Sequence, residues 1–163
     1  MDKITKILIN QYKIALKNND PNLIPLMDTT DVRIWYFLIK GLEMPFDNGE
    51  YIFKLTAPDD FPHAPPKFEF LTPNGVYDLG GAICISVGEF HTNDKPGKDG
   101  AHGWRPSLGM YGFARQVMNG LICYDGLDHG IRILSTSTEV KKRLAEISKE
   151  YNISHELNTF FEK

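Results

Sequence analysis

The sequence predicts an α+β domain over residues 1–163, with one helix, a four-stranded antiparallel meander, a long irregular loop and two to three C-terminal helices. Three observations lead to this prediction. Apolar residues recur at helical spacing at both ends of the chain, β-branched and aromatic runs fill the stretch between, and turn residues separate those runs. The 42% apolar content suffices for one core, and no repeat or linker divides the chain.

The first helix is indicated by apolar residues three or four positions apart, up to the turn cluster at 18–21. Its expected buried stripe comprises Ile4, Ile7, Leu8, Tyr12, Ala15 and Leu16. The other face carries a basic stripe, defined here as Lys3, Lys6, Lys13 and Lys17. A merely solvated face explains this lysine spacing equally well.

The four strands are predicted from runs at 32–40, 50–56 and 67–71 and from a weaker edge run at 24–27, which contains Pro25. Turn residues mark the junctions, including Asn48-Gly49 and the proline-rich corner at 61–66. Strands that follow one another this closely favour an antiparallel meander.

An irregular stretch follows Leu71 and reaches Gly103, interrupted only by the apolar run at 82–85. Irregular stretches of this length in a compact domain are usually functional.

A second helix is predicted after Pro106, with apolar residues at helical spacing from Met110 to Ile122.

The third helix is announced by Thr136-Ser137-Thr138-Glu139, which has the pattern of a capping box. Its expected buried face comprises Val140, Leu144, Ile147 and Tyr151. A short last helix is predicted from about Ser154 to Phe161.

Composition and charge disfavour several classes of function. A net charge of −3 with a pI near 5.9 does not favour binding to nucleic acid. No apolar stretch approaches the roughly 20 residues of a membrane span, and the segment that begins Met1-Asp2-Lys3 lacks the apolar core of a signal peptide. From the lack of an apolar span and of a signal-peptide core we expect a soluble protein of the cytoplasm or nucleus. The chain also lacks nucleotide-binding glycine motifs and paired histidines, so we expect no cofactor and no metal.

The two cysteines, Cys84 and Cys123, are too few for a disulfide framework and have no C-x-x-C spacing. Cys123 falls on the apolar face of the predicted second helix, so we expect it to be structural. Cys84 lies between Ile83 and Ile85, and its neighbours alone leave two alternatives open. It is either a small buried hydrophobe or a thiolate that acts as both nucleophile and leaving group.

The order of motifs resembles the ubiquitin-conjugating enzyme family across nearly the whole chain. The corner Phe61-Pro62-His63-Ala64-Pro65-Pro66 is similar to an aromatic-Pro-x-x-Pro-Pro corner of the family. Thr72-Pro73-Asn74 occupies the place of the family's His-Pro-Asn tripeptide. Ile83-Cys84-Ile85-Ser86 resembles the active-site segment, and Trp104-Arg105-Pro106-Ser107 resembles a Trp-Ser-Pro turn.

Three features resemble the branch of the family that is usually tethered to the endoplasmic reticulum membrane. They are Thr-Pro-Asn-Gly at 72–75, a cysteine ten residues after Asn74, and the Thr- and Ser-rich segment 135–138. That branch normally ends in a tail and a membrane anchor, whereas this sequence stops at Lys163, so we expect no tethering of this chain. The loop 88–103 resembles the acidic insertion of some members, but its charge is mixed.

The resemblance implies that Cys84 accepts ubiquitin or a ubiquitin-like protein as a thioester from an activating enzyme. The cargo would then pass to an amine or hydroxyl of a substrate protein, with or without a ubiquitin ligase. The resemblance assigns stabilisation of the transient oxyanion to the side-chain amide of Asn74. An ordinary Pro-Asn-Gly turn is the alternative interpretation of that residue.

An attacking lysine must also lose its proton, and in the family an acid after the second helix often assists this step. The resemblance places Asp128 or His129 at that position, with Asp128 preferred. A plain glycine-rich turn with solvated acids also explains the segment. Thr72 replaces the histidine that braces the asparagine loop in most members. Its hydroxyl can bond local backbone, so we expect altered rigidity and retained activity.

Partner surfaces follow from the same resemblance. Lys3, Lys6 and Lys13 resemble the face that meets the activating enzyme. His63, Pro106 and Ser107 lie where family members touch ligases, and His63 stands where many members have an apolar anchor.

Two rival functions remain. One is an inactive variant that binds ubiquitin or a ligase, which the presence of Cys84 disfavours. The other is a cysteine hydrolase with His91 or His102 as base. It is disfavoured because such nucleophiles usually lie at a helix N-terminus, whereas Cys84 lies in an extended run.

Overall fold

The computed structural model describes residues 2–79, 104–124 and 133–161. It confirms the predicted order of one helix, four strands and C-terminal helices. The elements are α1 (Lys3–Asn18), β1 (Leu23–Met27), β2 (Ile34–Lys40), β3 (Glu50–Thr56), β4 (Lys67–Phe70), a 3-10 turn (Pro106–Leu108), α2 (Gly109–Ile122), α3 (Thr138–Ser154) and a second 3-10 turn (Asn158–Phe161).

The sheet is the predicted antiparallel meander, with strand order β1-β2-β3-β4. Strands β2 and β3 pair along their whole length, from Ile34 opposite Thr56 to Lys40 opposite Glu50. Strand β4 is shorter and pairs only with residues 53–56 of β3. The backbone of β3 at residues 50–52 therefore extends past the end of β4 and needs other hydrogen-bond partners.

The core lies between one face of the sheet and helices α1 and α2. It is unusually aromatic, with Trp35, Phe37, Phe53, Phe70 and Phe113 all fully buried. The Phe37 and Phe53 rings stack across β2 and β3 at 5.1 Å between centroids. Burial of each large side chain contributes about 1.5–3 kcal/mol, so this cluster accounts for much of the stability of the sheet face that supports the candidate site.

Helix α1 is capped at its N-terminus by Asp2, whose carboxylate accepts a 2.7 Å hydrogen bond from the Thr5 backbone N–H. Its C-terminal cap is Asn19, which has a left-handed conformation with φ of 51°. Leu8 and Ala15 are buried as expected, but Leu16 is 51% exposed. The predicted stripe is therefore wrong at Leu16, which points about 100° away from its buried neighbour at 15.

Helix α2 ends at Ile122, and this boundary corrects the expectation for Cys123. The buried face of the helix reaches Leu121, whereas Ile122 is 47% exposed and Cys123 is exposed. Cys123 follows the last helical residue and so does not continue the buried stripe. The prediction that it is a buried structural residue is wrong.

Helix α3 begins one residue later than the capping-box pattern suggested. The cap is Ser137, whose hydroxyl accepts a hydrogen bond from the Val140 backbone N–H. The final segment is a short 3-10 turn at Asn158–Phe161 rather than a helix from Ser154.

The buried face of α3 also differs from the predicted one. It consists of Lys141, Ala145, Ser148 and Asn152, whereas Val140 is 44% exposed. Apolar spacing failed here because the face that meets the sheet is polar. Its polar side chains bond to backbone groups of Glu50 in β3 and of Thr136 before α3.

No helix among the described residues combines the length and the apolarity that a bilayer crossing requires.

Candidate active site

Asn74 holds the loop that follows β4 through all four of its side-chain hydrogen-bonding positions. The amide nitrogen donates to the carbonyl oxygens of Thr72 (3.0 Å) and Tyr77 (3.2 Å). The side-chain oxygen accepts from the backbone N–H groups of Val76 (2.9 Å) and Tyr77 (2.7 Å). The residue is 1% exposed. The turn-forming interpretation therefore describes its geometry, and an oxyanion would have to replace one of its two present acceptors.

Gly75 lets this loop pack directly against the start of α3. Its φ of 88° lies in the left-handed region, and an added Cβ would lie 2.9 Å from the Thr136 hydroxyl and 3.0 Å from the Lys141 side chain. The Thr136 hydroxyl donates to the Gly75 carbonyl oxygen at 2.6 Å. A further backbone bond, from Leu134 N–H to the Val76 carbonyl oxygen, joins the same two segments. The loop is thus fixed from the α3 side.

Tyr77 fixes the loop to α2 from the other side. Its ring is fully buried and stacks on Phe70, and its hydroxyl donates to the Val117 carbonyl oxygen at 3.0 Å. Burial raises the pKa of Tyr77 well above its ordinary value, so the hydroxyl keeps its proton and its donor role.

Thr72 is fully buried, and its hydroxyl bonds a strand and a helix at once. It accepts from the Ile52 backbone N–H (2.9 Å) and donates to the Asn152 side-chain oxygen (2.6 Å). The backbone partner is a residue of β3 and not a neighbour in sequence. The expectation of a bond to local backbone is therefore wrong in its partner, because the hydroxyl bonds a distant strand, and the bond to Asn152 was not foreseen.

Lys141 places a buried ammonium group beside the same loop. It is 3% exposed, and its Nζ donates to the Thr136 carbonyl oxygen (2.6 Å) and to the Thr136 hydroxyl (2.9 Å). The ammonium also lies 4.5 Å from the centroid of the Tyr124 ring. Sequence reasoning missed this residue, because a lysine on an amphipathic helix is usually solvated.

The proline-rich corner at 61–66 and the segment before α2 lie together. The Trp104 indole N–H donates to the Pro62 carbonyl oxygen at 2.8 Å, and the Phe61 and Trp104 rings are 6.0 Å apart. His63, Pro106 and Ser107 are all exposed. The predicted ligase-facing residues therefore belong to two segments that the partly buried Trp104 holds side by side.

Comparison with known proteins shows which family this chain belongs to. A sequence model described as "Ubiquitin-conjugating enzyme" matches residues 7–123, which is most of the chain. The chain belongs to the ubiquitin-conjugating enzyme family. The match spans the Asn74 loop, the position of Cys84 and the Trp104 segment.

Individual relatives agree with this assignment. Ubiquitin-conjugating enzyme E2 6 of Candida glabrata is 28% identical over 149 residues, which cover 90% of this chain and 55% of the relative. The probable ubiquitin-conjugating enzyme E2 33 of Arabidopsis thaliana is 27% identical over 90% of this chain and 56% of its own length. The chain thus spans about half the length of these curated relatives.

A solved structure gives the same result for the fold. Human ubiquitin-conjugating enzyme E2 G1 is 26% identical, with a TM-score of 0.59 over 74% of this chain and 96% of that one. The predicted resemblance to the ubiquitin-conjugating enzyme fold is confirmed.

The remaining predicted site residues divide into two groups. Cys84, Asp128 and His129 lie outside the described residues, as do His91, His102 and the loop 88–103. Their roles remain predictions from the sequence. Lys3, Lys6 and Lys13 are exposed on α1, and their role as a partner surface also remains a prediction.

Proposed function

We propose that the chain is an active ubiquitin-conjugating enzyme that carries ubiquitin or a ubiquitin-like protein as a thioester on Cys84. The observation that carries the proposal is the family match over residues 7–123, which includes a cysteine ten positions after the fully bonded Asn74. A cysteine at this place in this family supports a carrier rather than a binding-only variant.

The reaction consists of two acyl transfers. First, the Cys84 thiolate attacks the carbonyl carbon of the thioester on the activating enzyme, and the donor thiolate leaves. Then a substrate amine or hydroxyl attacks the new thioester, and the Cys84 thiolate leaves in turn. A thiolate suits both steps because it is a strong nucleophile and a fair leaving group.

The second step has two electrostatic requirements. Negative charge develops on the carbonyl oxygen, and Asn74 is the proposed donor to it. The amide would exchange its bond to Thr72 or Tyr77 for one to the oxyanion. The attacking amine must lose a proton, and Asp128 or His129 is the proposed acceptor.

Partners follow the two exposed surfaces. We propose that Lys3, Lys6 and Lys13 on α1 meet the activating enzyme. The surface of His63, Pro106 and Ser107 would meet a ligase. The exposure of all six residues supports both assignments.

A charging gel tests the proposal. The chain is incubated with activating enzyme, ATP and ubiquitin and separated without reductant. A larger species that thiol reagents remove is expected for the wild-type chain and not for Cys84→Ala. Cys84→Ser should give an adduct that resists thiol reagents, because an oxyester replaces the thioester.

Cys123→Ala is the matched control, because Cys123 is an exposed cysteine of the same chain. It should charge as the wild type does. Charging that persists in Cys84→Ala but disappears in Cys123→Ala would contradict the proposal. If no adduct forms with any of several modifiers, the inactive binding variant becomes the better interpretation.

A further inference from the structure

Strand β3 has an unusual set of hydrogen-bond partners where it extends past β4. The Glu50 backbone N–H donates to the Ser148 hydroxyl at 2.9 Å, and the Glu50 carbonyl oxygen accepts from the Asn152 amide at 2.8 Å. Both partners are buried side chains of α3. Helix α3 thus supplies to this edge the bonds that a longer β4 would otherwise supply.

Asn152 differs from Ser148 in one respect. Its side-chain oxygen accepts from the Thr72 hydroxyl at 2.6 Å, whereas the partners of Ser148 among the described residues are Glu50 and, within its own helix, the Ala145 carbonyl oxygen. The Thr72 hydroxyl must donate in this direction, because the side-chain oxygen of Asn152 can only accept and the Asn152 amide nitrogen donates to Glu50. Asn152 therefore sets the orientation of Thr72.

Thr72 in turn supports the asparagine loop. Its carbonyl oxygen accepts one of the two amide hydrogens of Asn74, at 3.0 Å. A continuous buried chain of hydrogen bonds thus runs from α3 through Asn152 and Thr72 to Asn74. Every link is 3.0 Å or shorter, and all three side chains are at most 3% exposed.

We propose that Asn152 is a positioning residue for acyl transfer, acting through the Thr72 hydroxyl on the loop that Asn74 holds. The inference rests on the proposed function, because it assigns Asn152 to the transfer step at Cys84. Its physical basis is that buried polar side chains with complete hydrogen bonding specify one arrangement, and removal of one partner leaves the other unpaired. Asn152 lies 78 positions after Asn74 in sequence, so only the fold brings the two together.

The test uses three single variants and one control. Asn152→Leu and Thr72→Val each remove the bond between the two side chains at nearly constant volume. Thr72→Ser keeps the hydroxyl. Ser148→Ala is the control, because it also removes an α3 bond to Glu50 but does not touch Thr72.

The activity readout is the single-turnover rate of discharge to free lysine, per molecule of charged enzyme. This rate does not depend on how much protein is folded or charged. We expect Asn152→Leu and Thr72→Val to slow discharge on the order of tenfold, because small displacements of positioning groups have effects of this size or larger. Thr72→Ser and Ser148→Ala should discharge close to the wild-type rate. A double variant that combines Asn152→Leu with Thr72→Val should be no slower than the slower single variant, because both substitutions break the same link.

A second readout needs no charged enzyme. Amide hydrogen exchange at Val76 and Tyr77, which donate to Asn74, should accelerate in Asn152→Leu and not in Ser148→Ala. Equal discharge or equal exchange in these two variants would overturn the inference. If the wild-type chain fails to charge, the proposed function fails. The exchange result then decides by itself whether Asn152 positions the loop.

Discussion

The ammonium group of Lys141 lies over the ring of Tyr124, 4.5 Å from its centroid, while it donates to the carbonyl oxygen and hydroxyl of Thr136. One buried cation therefore contacts Tyr124, which follows α2, and Thr136, which precedes α3. Asp128 and His129 lie between these two residues in the sequence.

Lys141→Met should destabilise the fold. The substitution keeps most of the apolar stem but removes the ammonium that donates to the partly buried Thr136 carbonyl oxygen and that lies over Tyr124. We expect the free energy of unfolding to fall by about 1–3 kcal/mol, measured by urea titration. Lys149→Met is the control on the exposed side of the same helix and should change it by no more than about 0.5 kcal/mol. Equal effects would show that the buried ammonium has no special role.

Asn74→Ala and Asn74→Asp separate the two roles of the asparagine. The alanine variant loses all four loop bonds, so we expect the free energy of unfolding to fall by at least about 2 kcal/mol. The aspartate variant keeps the acceptor bonds from Val76 and Tyr77, but when ionised it has no hydrogen to donate.

If Asn74 donates to the oxyanion, both variants should discharge to lysine more slowly by about a hundredfold. Charging should be largely retained. If Asn74→Asp discharges to lysine at the wild-type rate, the oxyanion role is contradicted and the role of Asn74 is limited to stabilising the loop. Loss of charging and discharge to the same extent would contradict it as well.

The sheet was predicted well from the sequence because alternating apolar residues indicate its strands. Trp35, Phe37 and Ile39 face the core at every second position of β2, as the period of a strand requires. The same reasoning failed on α3, where Ser148 and Asn152 are buried to satisfy the backbone at Glu50. No local sequence pattern predicts the burial of these two polar side chains, because the strand edge to which they bond is about 100 residues away in sequence.

The candidate site was predicted in part for a related reason. Family motifs located Thr72 and Asn74, since short sequence patterns record residues that are close in the chain. Lys141 was not predicted because the partners that bury it, the Tyr124 ring and the Thr136 carbonyl oxygen and hydroxyl, form no recognisable sequence motif with it. Only the packing of α3 against the loop makes it a buried group.

Tyr51 and Tyr77 form a matched pair of buried phenols with opposite hydrogen bonding. The Tyr77 hydroxyl bonds to Val117, whereas the Tyr51 hydroxyl has no partner among the described residues. Tyr77→Phe should lower the free energy of unfolding by about 1–2 kcal/mol. Tyr51→Phe should leave it unchanged or raise it by up to about 1 kcal/mol, because it removes an unsatisfied buried group. A larger loss in Tyr51→Phe than in Tyr77→Phe would contradict the bonding described here.

The buried hydroxyl of Tyr77 predicts a loss of folding stability at alkaline pH. Burial raises the pKa of Tyr77, so above about pH 10 the unfolded chain releases a proton that the folded chain retains. Stability is therefore complete below that pH and falls as the pH rises. Urea titrations at about pH 9 and about pH 11 should show a total loss of stability that is smaller by about 1.4 kcal/mol in Tyr77→Phe than in wild type. Parallel curves for the two proteins would exclude Tyr77 as a source of the pH dependence.

The exposed α1 lysines should govern the rate of charging. We expect the triple substitution of Lys3, Lys6 and Lys13 by Glu to slow charging by the activating enzyme about tenfold or more at low salt, because it reverses the charge of the proposed encounter surface. The difference should shrink as salt is added. The control carries the same change in net charge on α3, with Glu at Lys142, Arg143 and Lys149. If the control slows charging as much, net charge rather than the α1 surface is responsible.

His63→Phe should strengthen binding to ligases. His63 is exposed next to Pro62, whose carbonyl oxygen holds Trp104, so an aromatic ring at 63 would extend an apolar surface that the Trp104 contact already fixes. Aromatic anchors at interface centres contribute more than about 1 kcal/mol, so we expect affinity for conjugating-enzyme-binding domains of the commonest ligase classes to rise about fivefold. Binding is measured by calorimetry, with discharge in the absence of ligase expected to stay unchanged. His155→Phe makes the same substitution at an exposed histidine at the end of α3 and should leave ligase binding as it is. No gain in His63→Phe with any of these domains, or an equal gain in His155→Phe, would remove His63 from the ligase surface.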